Sequence, residues 1–128
     1  MTLERIDLLR VVVADDEEDV RLVLAMQLDA VEGITVVGDA ADGAEAIDLC
    51  RDLRPDAVVM DLLMPNVNGF EAIERLRSEQ PDLGIVAYTG VAGEFVRTEM
   101  ERLGVPLVLK SGDASALVEA LRRVTVHD

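Results

Sequence analysis

The sequence predicts an α/β fold in which helices cover both faces of a parallel sheet. Short apolar runs rich in β-branched residues alternate five times with segments whose apolar residues recur at helical spacing. Of the 128 residues, 50% are hydrophobic and only 2% are aromatic, so the core must be built mainly from aliphatic side chains. Five strand–helix units in a chain of this length imply one doubly wound domain with right-handed crossovers.

The first half of the chain divides into three strands and two helices. Gly33 stops the first helix, and the Asp42-Gly43 turn precedes the second. The third strand ends at Asp61 after a continuous apolar run, which is typical of a buried parallel strand. The predicted elements are strand Leu9–Ala14, helix 17–31, strand 34–37, helix 44–53 and strand 55–61.

The second half alternates in the same way. Pro65 and the Asn68-Gly69 pair form a loop, Gly104 ends the fourth helix, and Asp113 caps the last one. The predicted elements are helix 70–81, strand 83–89, helix 94–103, strand 105–110 and a helix from 113 whose inward side chains are Leu117, Leu121 and Val124.

Charge and cysteine content exclude several classes of protein. The 26 acids and 12 bases give a formal charge of −14, which repels phosphates, so we expect no nucleic acid binding by this domain. The single cysteine, Cys50, excludes a disulfide framework, and its helical pattern predicts a core or boundary position. The N-terminus lacks a long apolar stretch, so we expect neither a signal peptide nor a membrane anchor, and a cytoplasmic location.

Polar side chains follow the predicted strands at the points where the strands end. Asp61 ends an apolar run in which an uncompensated charge would be costly. Asp15 and Asp16 follow the first strand, Thr89 ends the fourth and Lys110 ends the fifth. Because the carboxyl ends of parallel strands share one rim, we expect these five side chains to meet there.

This set of groups suits phosphoryl chemistry. Three carboxylates repel one another, and Mg²⁺, a hard cation with oxygen ligands, relieves that repulsion. Lys110 is a point charge for a phosphate, and the Thr89 hydroxyl is a donor for an oxyanion. A carboxylate such as Asp61 can itself attack phosphorus to give an aspartyl phosphate.

The motifs of several other chemistries are missing from the sequence. There is no glycine-rich phosphate loop ending in Lys-Ser or Lys-Thr, and no Gly-x-Gly-x-x-Gly after the first strand. The only histidine, His127, lies at the C-terminal end of the chain, so a histidine-based triad has no base.

The polar residues at the strand ends stand in an order and spacing that is typical of a known protein family. They are the Asp15-Asp16 pair, the segment Asp61-x-x-Met64-Pro65-x-x-x-Gly69, Thr89 and Lys110. In these residues the chain resembles the receiver domain of a two-component response regulator, over about residues 9–124 of a single domain spanning residues 1–128. The resemblance implies a flavodoxin-like sheet with strand order 2-1-3-4-5.

The resemblance also implies roles for individual residues. Asp61 would accept a phosphoryl group from a histidine kinase, and Thr89 and Lys110 would bind its oxygens. Mg²⁺ would be bound by the following groups: the side chains of Asp16 and Asp61, the main-chain carbonyl of Leu63 and, through a water, Asp15.

By this resemblance the chain is a switch, with no enzymatic activity beyond its own phosphorylation and dephosphorylation. Its changed surface, comprising the fourth strand, fourth helix and fifth strand, would act on a partner or on an output domain. Lys110-Ser111 before the last helix resembles receivers joined to helix-turn-helix output domains that regulate transcription. A homodimer through the fourth or fifth helix is left open.

Two alternative functions also remain open. One is a receiver-like binding module that works without phosphorylation. The other is a phosphatase with an aspartate nucleophile, but such enzymes carry a second acid two residues after the nucleophile, where this chain has Leu63.

Some positions depart from the common receiver pattern. Leu107 stands where receivers often have an aromatic residue, and Ser111 replaces the proline that usually follows the lysine, so we expect a trans bond there. Strand alternation directs Tyr88 to the face opposite Thr89, where we expect it to pack. Leu63 and Val91, which flank the phosphoryl site, cannot orient water, so we expect slow loss of the phosphoryl group.

Overall fold

The computed structural model describes residues 8–90, 93–110 and 114–126. They form a five-stranded parallel sheet in the order β2-β1-β3-β4-β5, with five helices. The predicted fold class and strand order are confirmed. The elements are β1 (Leu9–Ala14), α1 (Glu18–Asp29), β2 (Ile34–Ala40), α2 (Gly43–Leu53), β3 (Ala57–Met60), α3 (Gly69–Glu79), β4 (Gly84–Thr89), α4 (Glu94–Leu103), β5 (Leu107–Leu109) and α5 (Ser115–Val124).

The end of β2 differs most from the sequence-based prediction, and the other element boundaries differ by two residues or fewer. Strand β2 continues to Ala40, three residues further than predicted, because Gly38 and Asp39 pair with β1 despite being poor strand formers. Helix α1 ends at Asp29, and Gly33 lies in the following turn with φ at 90°. The predicted roles of Val91, Ser111, Asp113 and His127 lie outside the described residues.

Two apolar layers hold the helices on opposite faces of the sheet. One layer packs α2, α3 and α4 on the sheet and the other packs α1 and α5. Strand side chains alternate between the layers, so that Val58 belongs to the first layer and Val59 to the second. Burial on both faces explains why the central strands read as continuous apolar runs. Cys50 is fully buried in the first layer, as predicted.

Side-chain caps fix where two of the helices begin. The Asp42 carboxylate accepts a hydrogen bond from the Glu45 N–H at 2.8 Å, and Asn68 accepts one from the Glu71 N–H at 2.9 Å. Such caps satisfy N–H groups that have no partner inside the helix. Helix α3 therefore begins at Gly69, directly behind the loop that follows β3.

Gly69 is required by the close approach of α3 to the end of β3. A Cβ atom at this position would overlap the main-chain oxygen of Asp61 and the Cα of Leu62. The Gly69 N–H donates to the Leu62 carbonyl at 3.1 Å. The glycine thus closes the loop that carries Asp61, Leu62 and Leu63.

Candidate metal centre

The predicted site residues meet at the carboxyl edge of the sheet. Asp15 directly follows β1, Asp61 follows β3, Thr89 ends β4 and Lys110 follows β5. Main-chain hydrogen bonds tie these ends together, since the Asp61 N–H donates to Ala14 at 3.0 Å and the Lys110 N–H donates to Thr89 at 2.9 Å. Parallel pairing alone therefore brings together groups that are distant in the sequence.

Three carboxylates lie close enough to share one cation. Each of Asp15, Asp16 and Asp61 offers an oxygen, and these oxygens lie within 4.8 Å of one another. Asp15 and Asp61 are buried, with 1% and 6% exposure, whereas Asp16 is exposed. Oxygen ligands with surplus negative charge are those that a hard divalent cation prefers, so this donor set fits Mg²⁺.

Lys110 bridges the two buried acids. Its ammonium nitrogen lies 2.6 Å from Asp15 Oδ2 and 3.3 Å from Asp61 Oδ2. Burial by itself would lower the pKa of Lys110, but the hydrogen bond to Asp15 and the charges of both acids outweigh it and raise that pKa. Lys110 therefore carries its charge at neutral pH, and one positive charge faces three carboxylates.

Burial has the opposite effect on the pKa of Asp61. It is the largest influence on the group and raises the pKa of Asp61, and the negative charge of Asp15 adds to the rise. Lys110 and the Leu63 N–H oppose this effect without cancelling it. The ionised form of Asp61 is thus held at a cost that a bound cation would offset.

The hydrogen bonds distinguish Asp15 from the other two acids. Its Oδ1 accepts from the Glu17 N–H at 2.9 Å while its Oδ2 faces Lys110. The contacts of Asp61 are longer, since its Oδ1 accepts from the Leu63 N–H at 3.4 Å and its Oδ2 faces Lys110 at 3.3 Å. Asp15 is therefore held more closely by the protein than Asp61.

Of the positions that depart from the common receiver pattern, Leu63 and Leu107 lie in the described part of the chain, as does Tyr88. Tyr88 is buried in the layer beneath α1 and α5, which confirms the predicted packing role. Leu107 pairs with Ala87 and packs, partly buried, against the opposite layer. Leu63 is 57% exposed beside Asp61.

Sequence reasoning missed Arg21. This α1 side chain donates from Nη1 to the main-chain oxygen of Asp15 at 2.9 Å and from Nε to Asp39 Oδ1 at 3.0 Å. A signal was present, because a cation near the N-terminus of a helix opposes the helix dipole and requires compensating groups.

Comparisons with known proteins agree with this geometry. The family model described as "Response regulator receiver domain" matches residues 11–122. Response regulator GacA of Pseudomonas aeruginosa is 34% identical over 118 residues, which are 91% of this chain and 55% of GacA. The chain thus spans about half the length of the curated relatives it matches.

Solved structures are similar over nearly the whole chain. The response regulator domain of Thermotoga maritima CheB is 30% identical with a TM-score of 0.86, covering 94% of this chain and 98% of that domain. A two-component response regulator of the LuxR family from Aurantimonas is 32% identical with a TM-score of 0.84, covering 91% of this chain and 84% of that one. In the part that the structure describes, no helix is long and apolar enough to cross a membrane. With its fold, its clustered acids and these matches, the chain belongs to the response regulator receiver domain family.

Proposed function

We propose that Asp61 accepts a phosphoryl group from a histidine kinase in the presence of Mg²⁺, and that the domain then changes an interaction surface. The observation that carries the proposal is the meeting of Asp61 with Asp15, Asp16 and Lys110 at one edge of the sheet. The proposed unit is a single receiver domain over residues 1–128, with its core at about residues 9–124.

The proposed chemistry is a transfer to a carboxylate oxygen. An Asp61 oxygen forms the new bond to phosphorus while the bond from phosphorus to the donor breaks and its electron pair leaves with the donor. In this proposal Lys110 and the Thr89 hydroxyl hydrogen-bond the transferred oxygens, which is supported by the contact of Lys110 with Asp61 and by the position of Thr89 at the end of β4. When bound, Mg²⁺ neutralises charge that develops on those oxygens.

We assign the metal ligands from the hydrogen bonds already made. Asp16 and Asp61 would bind the cation directly, together with the Leu63 main-chain carbonyl, because Asp16 is exposed and both contacts of Asp61, from the Leu63 N–H at 3.4 Å and from Lys110 at 3.3 Å, are long. Asp15 would act through a water, since Glu17 and Lys110 hold its two oxygens in shorter hydrogen bonds, at 2.9 Å and 2.6 Å.

The output is a shift in population between two conformations that differ in their interaction surface. The changed face comprises β4, α4 and β5, and Leu107 replaces the aromatic side chain that often couples this face to the site. The partners are a histidine kinase and an output domain that regulates transcription, as the likeness to a LuxR-family regulator supports. Homodimer formation after phosphorylation is a further part of this proposal.

Intact mass separates the proposal from its alternatives. The chain is incubated with Mg²⁺ and acetyl phosphate, and then with a phosphorylated kinase. The parent and Asp56→Asn, an exposed acid at the other end of β3, should each gain one phosphoryl group, whereas Asp61→Asn should gain none. Continuous phosphate release would indicate a phosphatase, and no adduct from either donor would indicate a phosphate-independent binding module.

A further inference from the structure

Arg21 differs from the other arginines that form ion pairs in the described part of the chain. Its side chain is 13% exposed, whereas those of Arg51, Arg75 and Arg102 are 50% to 55% exposed. Exposed ion pairs contribute little to stability, and burying a guanidinium is costly unless its N–H groups are satisfied. A largely buried arginine beside the acidic site therefore calls for a specific explanation.

The Arg21 guanidinium bridges three segments of the fold. It extends from α1, donates to the main-chain oxygen of Asp15 after β1, and donates to the Asp39 carboxylate on β2. The planar fork of arginine holds two acceptors at once in a fixed geometry, which a lysine ammonium cannot reproduce.

The carbonyl held by Arg21 belongs to the peptide that leads into Asp16. The Asp15 N–H is fixed by the Ala40 carbonyl at 3.0 Å, and the Asp15 carboxylate is fixed by Glu17 and Lys110. Asp16 itself is exposed, and no hydrogen bond from the described residues holds its carboxylate. The direction of the Asp16 side chain thus depends on the main chain that precedes it.

We propose that Arg21 is a positioning residue that orients Asp16 toward the other two acids by holding the Asp15 carbonyl. Asp39 anchors the guanidinium so that it stays on this carbonyl instead of turning to the carboxylates. The inference rests on the proposed function only for the presence of a divalent cation. Groups that orient metal ligands without touching the metal typically change metal affinity by about 10- to 100-fold when removed.

The sign of the effect distinguishes positioning from simple charge. A guanidinium close to an acidic cluster repels a cation, so by Coulomb's law alone its removal would strengthen Mg²⁺ binding. Positioning predicts the reverse, because a misdirected Asp16 is a weaker ligand. A role limited to stabilising the fold would lower the melting temperature and leave Mg²⁺ affinity unchanged.

The test measures Mg²⁺ affinity by calorimetry on the full chain, without any phosphoryl donor. Arg21→Gln should bind Mg²⁺ about 10-fold more weakly than the parent, and Arg21→Lys should also bind more weakly although the charge is kept. With acetyl phosphate, the Mg²⁺ concentration for half-maximal phosphorylation should rise by the same factor, with a smaller change in the rate at saturating Mg²⁺.

Arg51→Gln and Arg51→Lys are the matched controls, since Arg51 makes a two-bond ion pair with Glu79 far from the site, and they should leave affinity unchanged. Circular dichroism checks that each variant is folded, and Arg21→Lys carries the test if Arg21→Gln is unfolded. If a folded Arg21 variant binds Mg²⁺ as tightly as the parent or more tightly, the inference about Arg21 is overturned, whereas the proposed function is not. A parent chain that binds no Mg²⁺ would overturn the proposed function as well.

Discussion

The ammonium nitrogen of Lys110 lies 2.6 Å from Asp15 Oδ2, in a contact between residues 95 positions apart in the chain. Its distance to Asp61 Oδ2 is longer, at 3.3 Å. Lys110 is therefore held mainly by an acid that already has a second partner, the Glu17 N–H. This leaves the Asp61 carboxylate less completely compensated than Asp15.

Replacing Asp61 by asparagine should stabilise the metal-free chain. Burial raises the pKa of Asp61, so its ionised form is disfavoured in the folded state, and a neutral side chain of the same shape removes that cost. We expect a gain on the order of 1 kcal/mol, or a rise of about 3 °C in melting temperature, measured in the presence of a chelator.

The stabilisation expected for Asp61→Asn should change with pH in a defined direction. Because the folded-state pKa of Asp61 is raised, its contribution to stability is full below the ordinary value of 3.8 and is lost as the pH rises through the folded pKa. The advantage of Asp61→Asn should therefore be present at pH 7 and vanish below pH 3.8. Asp48→Asn, at an exposed acid, should show no gain at either pH, and an equal gain there would contradict the explanation.

Mg²⁺ should stabilise the parent against heat. A ligand that binds only the folded state at ten times its dissociation constant adds roughly 1.4 kcal/mol. Asp16→Asn should lose most of this gain, because it removes one of the three clustered carboxylates. Glu18→Gln removes a nearby exposed charge on α1 and should keep the gain; equal losses in both variants would indicate nonspecific screening.

Gly69→Ala should destabilise the domain by about 1–3 kcal/mol, as overpacking in a rigid environment does. The added methyl group would meet main-chain atoms of Asp61 and Leu62, which cannot move aside as a flexible side chain would. Urea unfolding measures the change. Gly90→Ala, where a Cβ atom meets nothing within 4 Å, is the control and should cost much less.

The Cys50 thiol should be inert in the folded protein. Burial raises the pKa of Cys50 to about 12, and the side chain has no exposed surface. Since the thiolate is the reactive form, alkylation at pH 8 should be about 100-fold slower or more than in the unfolded chain. Mass spectrometry of samples with and without denaturant checks this, and equal rates would place Cys50 at an accessible surface.

The phosphoryl group on Asp61 should be lost slowly. Leu63 is apolar and 57% exposed beside Asp61, so it cannot orient a water for attack on phosphorus. Leu63→Asn should shorten the lifetime by about 10-fold, because it adds a group that can position water. Leu22→Asn, at an exposed leucine of α1, should leave the lifetime unchanged, and a parent lifetime of seconds would contradict the prediction.

Much of the fold was readable from the order of apolar runs. The run ending at Asp61 predicted a buried strand because both of its faces are covered, and β3 is fully buried. The extent of β2 could not be predicted, because Gly38 and Asp39 are poor strand formers that nonetheless pair with β1 after a one-residue shift in register. At these two residues, pairing with the neighbouring strand outweighs their low strand propensity.

The candidate site could likewise be predicted from the sequence only in part. The sequence by itself determined which chemical groups stand at the strand ends, since parallel pairing must bring Asp61, Thr89 and Lys110 to one edge. Only the tertiary structure decided that Lys110 lies nearer Asp15 than Asp61. The contact between Arg21 and the Asp15 carbonyl was likewise decided only by the tertiary structure. Spacing along a chain sets the order of strand ends, but such contacts depend on how helices and loops pack across them.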